Sequence, residues 1–147
     1  MLRANETGPL GARNEDDMTL FGLVLAVGTA GLTMGVDLAG SEWRPSFMSA
    51  AELPAGVKIE VEFKPDGRIT GSGGCNRFFG GYTVSGNHIK IGPLASTRKG
   101  CPGLIKLEAT FFATLQAASS FAQTDTTLIL FDASGDKLAQ FVRAEQR

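Results

Sequence analysis

Between Val57 and Lys64, apolar and charged residues alternate one for one. Val57, Ile59, Val61 and Phe63 are separated by Lys58, Glu60 and Glu62. A period of two puts successive side chains on opposite faces of a strand, so this segment is expected to have one buried and one wet face. Lys64-Pro65-Asp66-Gly67 has proline and glycine where a reversing turn needs them. Arg68 to Ser72 is expected to return as the antiparallel partner. A third strand, Phe78 to Val84, leads through Ser85-Gly86-Asn87 into His88-Ile89-Lys90-Ile91, a second hairpin. Thr127 to Phe131 and Lys137 to Val142 flank Asp132-Ala133-Ser134-Gly135-Asp136, a third. Leu38 to Trp43 reads as a short opening strand, followed by a loop that contains Pro45 and Pro54.

One segment changes period. After Pro102, a residue suited to a first helical turn, Leu104, Leu107, Phe111, Leu115 and Ala118 recur every three or four positions. This predicts an amphipathic helix of about 16 residues whose stripe packs on the sheet or closes its mouth. Short strands, tight turns and one helix give the expected fold class: α+β, mostly antiparallel β, a small curled sheet or barrel with one packed helix.

The first 36 residues do not follow this pattern. Residues 1–17 are polar, hold Gly8, Pro9 and Gly11, and end in Glu15-Asp16-Asp17, so disorder is expected there. From Met18 an uncharged apolar run of about 19 residues reaches Val36, at the lower limit for spanning a bilayer. Residues 18–36 read as a signal peptide cut near Val36, after the small residues Thr33 and Gly35, or as a membrane anchor. A buried element of the fold is the third reading. The export reading makes the protein periplasmic or membrane-anchored. A domain is expected over 38–143.

Composition narrows the function. The net charge is −1, and no run interleaves basic with aromatic residues, so nucleic acid is not an expected partner. Glycine is abundant and clusters at Gly71, Gly73, Gly74, Gly80 and Gly81, which suits sharp corners in a sheet. The single histidine, His88, falls at a hairpin turn, where a solvated ring is the ordinary reading. No G-x-S-x-G elbow is present, the two cysteines and His88 lack metal-ligand spacing, and Glu60 and Glu62 share the wet face of one strand. No enzyme, metal or cofactor is expected. Cys75 and Cys101 enclose about 25 residues; an exported protein would bridge them, for roughly 3 kcal/mol, and a cytosolic one would hold two thiols.

The segment Gly71-Ser72-Gly73-Gly74-Cys75-Asn76-Arg77-Phe78-Phe79-Gly80-Gly81-Tyr82 resembles the G-x-x-G-C-N-x-F-x-G-x-Y signature of META domains, the group containing the heat-shock protein HslJ. Ile91 to Thr97 with Cys101 resembles the family's second block. Glu108, Phe111 and Leu115 match its helix, and Leu128, Leu130 and Gly135 match its last hairpin. Leu38 to Trp43 matches its opening strand. The matching positions Trp43, Gly71, Gly74, Cys75, Asn76, Phe78, Gly80, Tyr82, Thr97 and Cys101 are read as mainly structural. Members usually carry methionine between the Thr97 and Cys101 positions, where this chain has Arg98-Lys99-Gly100. The resemblance implies a META/HslJ fold in a bacterial envelope protein tied to stress tolerance, with no established reaction. The resulting expectation is a noncatalytic, monomeric domain that binds an envelope protein or cell-wall component. The rival is a barrel that carries a small apolar ligand against Trp43, Phe79 and Tyr82. A third reading is an enzyme that pairs a cysteine with His88.

Overall fold

A computed structural model describes residues 37–144; the expected N-terminal segment and apolar run lie outside the described residues. Nine strands and one helix follow in the order β1 (Ser41–Met48), β2 (Ile59–Phe63), β3 (Arg68–Gly73), β4 (Arg77–Ser85), β5 (His88–Ile91), β6 (Ala95–Ser96), α1 (Ile105–Ala117), β7 (Ser120–Gln123), β8 (Thr127–Phe131) and β9 (Lys137–Arg143). The first five strands form an antiparallel meander, and β7, β8 and β9 form a second. Two seams join the meanders. β9 pairs with β1 from Ala139 opposite Met48 to Arg143 opposite Trp43, and β5 meets β7 where His88 faces Ser120. The result is a closed antiparallel barrel of eight strands, with the two-residue β6 alongside β4.

The alternation read from the sequence is the alternation that folds. Ile59, Val61 and Phe63 are buried while Glu60 and Glu62 face outward. On β8, Leu128 and Leu130 point inward, and on β9 Ala139 and Phe141 do the same. The interior is filled by large side chains, with Trp43, Phe63, Phe78, Phe111 and Phe141 all essentially without solvent exposure. Phe78 packs edge-on against Phe111, ring centroids 5.9 Å apart, so the helix and the signature strand share one aromatic core. At the β2–β3 turn Gly67 takes φ +88°, a left-handed conformation that side-chain-bearing residues adopt at a cost.

Four elements differ from the sequence reading. β1 does not stop at Trp43; it continues through Pro45 to Met48. Pro45 is tolerated because the β1–β2 ladder ends at Trp43, and because a bulge follows it on the β9 side. There Phe141 faces Pro45 and Gln140 faces Phe47, leaving Ser46 as the extra residue, its hydroxyl donating to the Gln140 carbonyl. The helix has 13 residues and starts at Ile105, later than Pro102 suggests, because Gly103 sits at φ +83°, which a helix cannot include. Finally, β6 and β7 are strands that periodicity did not reveal. They are short, mostly half-exposed, and without a clean alternation of burial.

Candidate functional site

The twelve-residue signature occupies the end of β3, the bend from Gly74 to Asn76, and β4. Its centre is a carboxylate from elsewhere in the chain. Glu108, in the first turn of α1, is buried, and its Oε2 accepts hydrogen bonds from the backbone N–H groups of Cys75, at 3.0 Å, and Asn76. Its Oε1 accepts from Asn76 Nδ2 at 2.7 Å. A buried carboxylate costs several kcal/mol in desolvation unless its oxygens find donors, and here three N–H groups supply them. Gly73 makes this approach feasible: a Cβ there would lie 2.6 Å from Glu108 Cγ and 2.9 Å from the Phe112 ring.

Asn76 passes the connection on to a second segment. Its Oδ1 accepts from Thr97 Oγ1 at 2.9 Å and from the Lys99 backbone N–H at 2.6 Å, while Nδ2 also donates to the Lys99 carbonyl at 3.2 Å. Thr97 is tied to β4 as well, its N–H donating to the Arg77 carbonyl and its hydroxyl accepting from the Arg77 N–H. Cys75 and Cys101 form a disulfide across the same junction, with Cα atoms 6.0 Å apart. Asn76, itself held by the Glu108 carboxylate, the Thr97–Arg77 bonds and one covalent bond therefore fix the loop from Thr97 to Cys101 against the barrel. Arg98 and Lys99 stand outward from it, both exposed. They border a surface groove that is also lined by Leu94, Ala95, Ser96 and Ile105.

The other signature residues serve the scaffold. Phe78 and Trp43 are core, and Trp43 Nε1 donates to the buried hydroxyl of Ser41. Gly71 and Gly80 lie where a Cβ would collide, Gly71 with the Glu60 carbonyl and the Phe78 ring, Gly80 with the Pro93 carbonyl. Gly74 adopts φ +111° at the bend. Tyr82 packs edge-on against Phe63 at 5.0 Å, and its hydroxyl donates to the Lys64 carbonyl. Burial raises the Tyr82 phenol pKa above its ordinary value, and the nearby carboxylates of Asp37 and Asp66 push it the same way.

The lining expected for an apolar ligand does not assemble. Trp43 is sealed in the core, with Arg143 over its ring at 4.6 Å, whereas Phe79 is 46% exposed on the outer face. Neighbours on β4 at positions 78 and 79 must point to opposite faces, which an inward-facing Phe78 decides for Phe79. His88 is exposed at the start of β5, opposite Ser85 and Ser120. With Cys75 and Cys101 bonded to each other, neither sulfur offers the thiolate that a Cys–His mechanism requires. The residue that sequence reading undervalued is Glu108. Its signal was present: a charged residue four positions after Leu104 and three before Phe111, on the face that the helix buries.

The geometry has relatives. A protein from Burkholderia xenovorans, solved by NMR, superposes with a TM-score of 0.61 at 19% identity, covering 90% of this chain and 99% of its own. A second NMR structure matches with a TM-score of 0.53 at 25% identity, covering 68% of this chain and 86% of its own. No curated protein matches. The META domain profile matches residues 36–145, a span that includes the barrel, the helix, the bridged cysteines and the buried Asn76–Glu108 pair. The chain belongs to the META domain family.

Proposed function

We propose that this META domain is an exported, noncatalytic part of the bacterial envelope, acting as a monomer that binds another envelope component and supports the cell under stress. The observation that carries this reading is the Cys75–Cys101 bridge. Disulfides persist in oxidising compartments and are rare where thiols are kept reduced. The polar groups of the signature support the noncatalytic part. Glu108, Asn76 and Thr97 spend their hydrogen-bonding capacity on one another and on backbone, as architecture requires and as a reactive centre does not. The apolar run before the domain is compatible with export.

Trapping thiols with acid and a mass-tagging alkylator in native cells, followed by fractionation, tests the compartment. The expected result is a chain in the envelope fraction with no taggable thiol before reduction. A cytosolic chain with two taggable thiols would overturn the reading.

A further inference from the structure

We infer that the groove beside β6 receives an extended acidic segment of a partner protein, added as a strand to the free edge of β6. This deepens the proposed envelope-binding function and rests on that reading. The first observation is the backbone. Thr97 N–H donates to Arg77 on β4, and Ser96 pairs with Phe78. Alternation in an antiparallel ladder then turns the N–H and C=O of Ser96 away from β4, toward the groove. Leu94 N–H is already taken by the Gln116 side chain, and Lys99 N–H by Asn76, so the outward edge centres on Ser96. An exposed edge of this kind is the template for strand addition.

The second observation is charge. Arg98 and Lys99 border the groove, and Arg77, exposed, lies under Thr97 at its β4 side. Among the described residues none of the three makes an ion pair. The carboxylate in the lining is Glu108, and its oxygens are already occupied by three N–H groups. Two cations therefore line the groove, with the exposed Arg77 on the neighbouring strand, and no acidic side chain in the lining is free to balance them.

The third observation is an apolar contact. Ile105, 61% exposed, stands at the start of α1 on the other side, with the half-buried Leu94 below. A strand alternating acidic and β-branched residues would set its carboxylates against Arg98 and Lys99 and its apolar side chains against Ile105 and Leu94. The bridge and the Asn76 hydrogen bonds hold the receiving loop in place beforehand, which lowers the ordering cost of binding.

The test uses the full chain with its disulfide intact and a capped hexapeptide that alternates glutamate with valine. Amide NMR titration should place the largest shifts at Ser96, Arg98 and Ile105. The double variant R98E/K99E should weaken binding at least tenfold, while R68E, at the start of β3, leaves it unchanged. Replacing glutamate by lysine, or N-methylating the peptide edge that would bond to Ser96, should also abolish binding. Shifts centred elsewhere, or an affinity indifferent to R98E/K99E, would overturn the proposal. Equal binding by the N-methylated peptide, or by polyphosphate at the same amides, would reduce the groove to a general anion site and overturn strand addition. A native envelope partner that binds R98E/K99E as well as wild type removes the groove but keeps the envelope-binding function. A chain found only in the cytosol removes that function whatever the titration gives.

Discussion

The buried carboxylate of Glu108 makes sense only together with Asn76. Its oxygens receive two backbone N–H groups and one side-chain amide, and the Asn76 carbonyl oxygen then receives Thr97 and Lys99. Donors and acceptors match at every contact, so the consequences of a change can be worked out atom by atom. Glu108→Gln keeps the shape but replaces one acceptor oxygen by an NH2 group facing a donor. It should cost about 1–3 kcal/mol in urea unfolding, the penalty for an unsatisfied buried group. Asn76→Asp puts an oxygen where Nδ2 donates, so two carboxylates would meet at a buried site. It should cost more than Asn76→Ala, roughly 3–5 kcal/mol, as for breaking a buried charge arrangement. Parallel urea titrations of the two Asn76 variants check the order, and an aspartate variant as stable as the alanine variant would sink the pairing. Asparagine at this position was visible in the sequence as part of a motif. Glu108 was visible as a match to the family's helix, but its pairing with Asn76 was not, because the two are 32 residues apart and only folding brings them together.

At the level of elements, the helix rests on β3 because the strand ends in a residue without a side chain. Gly73→Ala would place a Cβ 2.6 Å from Glu108 Cγ, a distance that forces the helix or the strand to move. A loss of about 1–3 kcal/mol, the range for overpacking, is expected in thermal and denaturant unfolding. Gly100→Ala is the matched control. A Cβ there meets nothing within 4 Å, so its effect should stay within about 0.5 kcal/mol. The strands β2, β3, β4, β8 and β9 were legible because alternation and turn residues are local signals, carried by neighbours in the chain. β6 and β7 were not. A two-residue strand has no period to detect, and β7 gains its identity from the edge of β8 that it covers. The course of β1 through Pro45 was equally hidden, since a proline reads as a strand end until the neighbouring ladder is seen to stop before it.

For the whole molecule, the bridge and the barrel make separable contributions. Cys75 and Cys101 are 26 residues apart, so reduction should lower stability by about 3 kcal/mol through the entropy returned to the unfolded chain. Both cysteines lie outside the strands and the helix, so far-UV circular dichroism should be unchanged below the shifted transition. Collapse of that spectrum on reduction at room temperature would mean that the bridge holds the fold itself. High pH provides a second global test. Burial raises the pKa of folded Tyr82 above 10.0, so between that value and the folded pKa the unfolded state loses its proton first. The folded chain then binds more protons than the unfolded one, and stability falls as pH rises through this window. Below it the contribution is fully present. The chain has a single tyrosine, so phenolate absorbance reports Tyr82 alone. Midpoints that coincide in folded and urea-unfolded protein would contradict the shift.

By itself the sequence determined the strand faces, the three hairpins, the stripe of the helix and the family signature. All of these rest on spacing between near neighbours or on the identity of single residues, and neither depends on how distant segments meet. Only the tertiary structure decided that the sheet closes, because closure depends on β9 finding β1 and on a single pairing between His88 and Ser120. It also decided that Phe79 faces outward while Trp43 is sealed inside, and that Glu108, an ordinary acidic residue on a helix, is the hub of the signature. Side-chain partners across the fold are set by the register of the whole barrel, and a chain read one residue at a time does not contain that register.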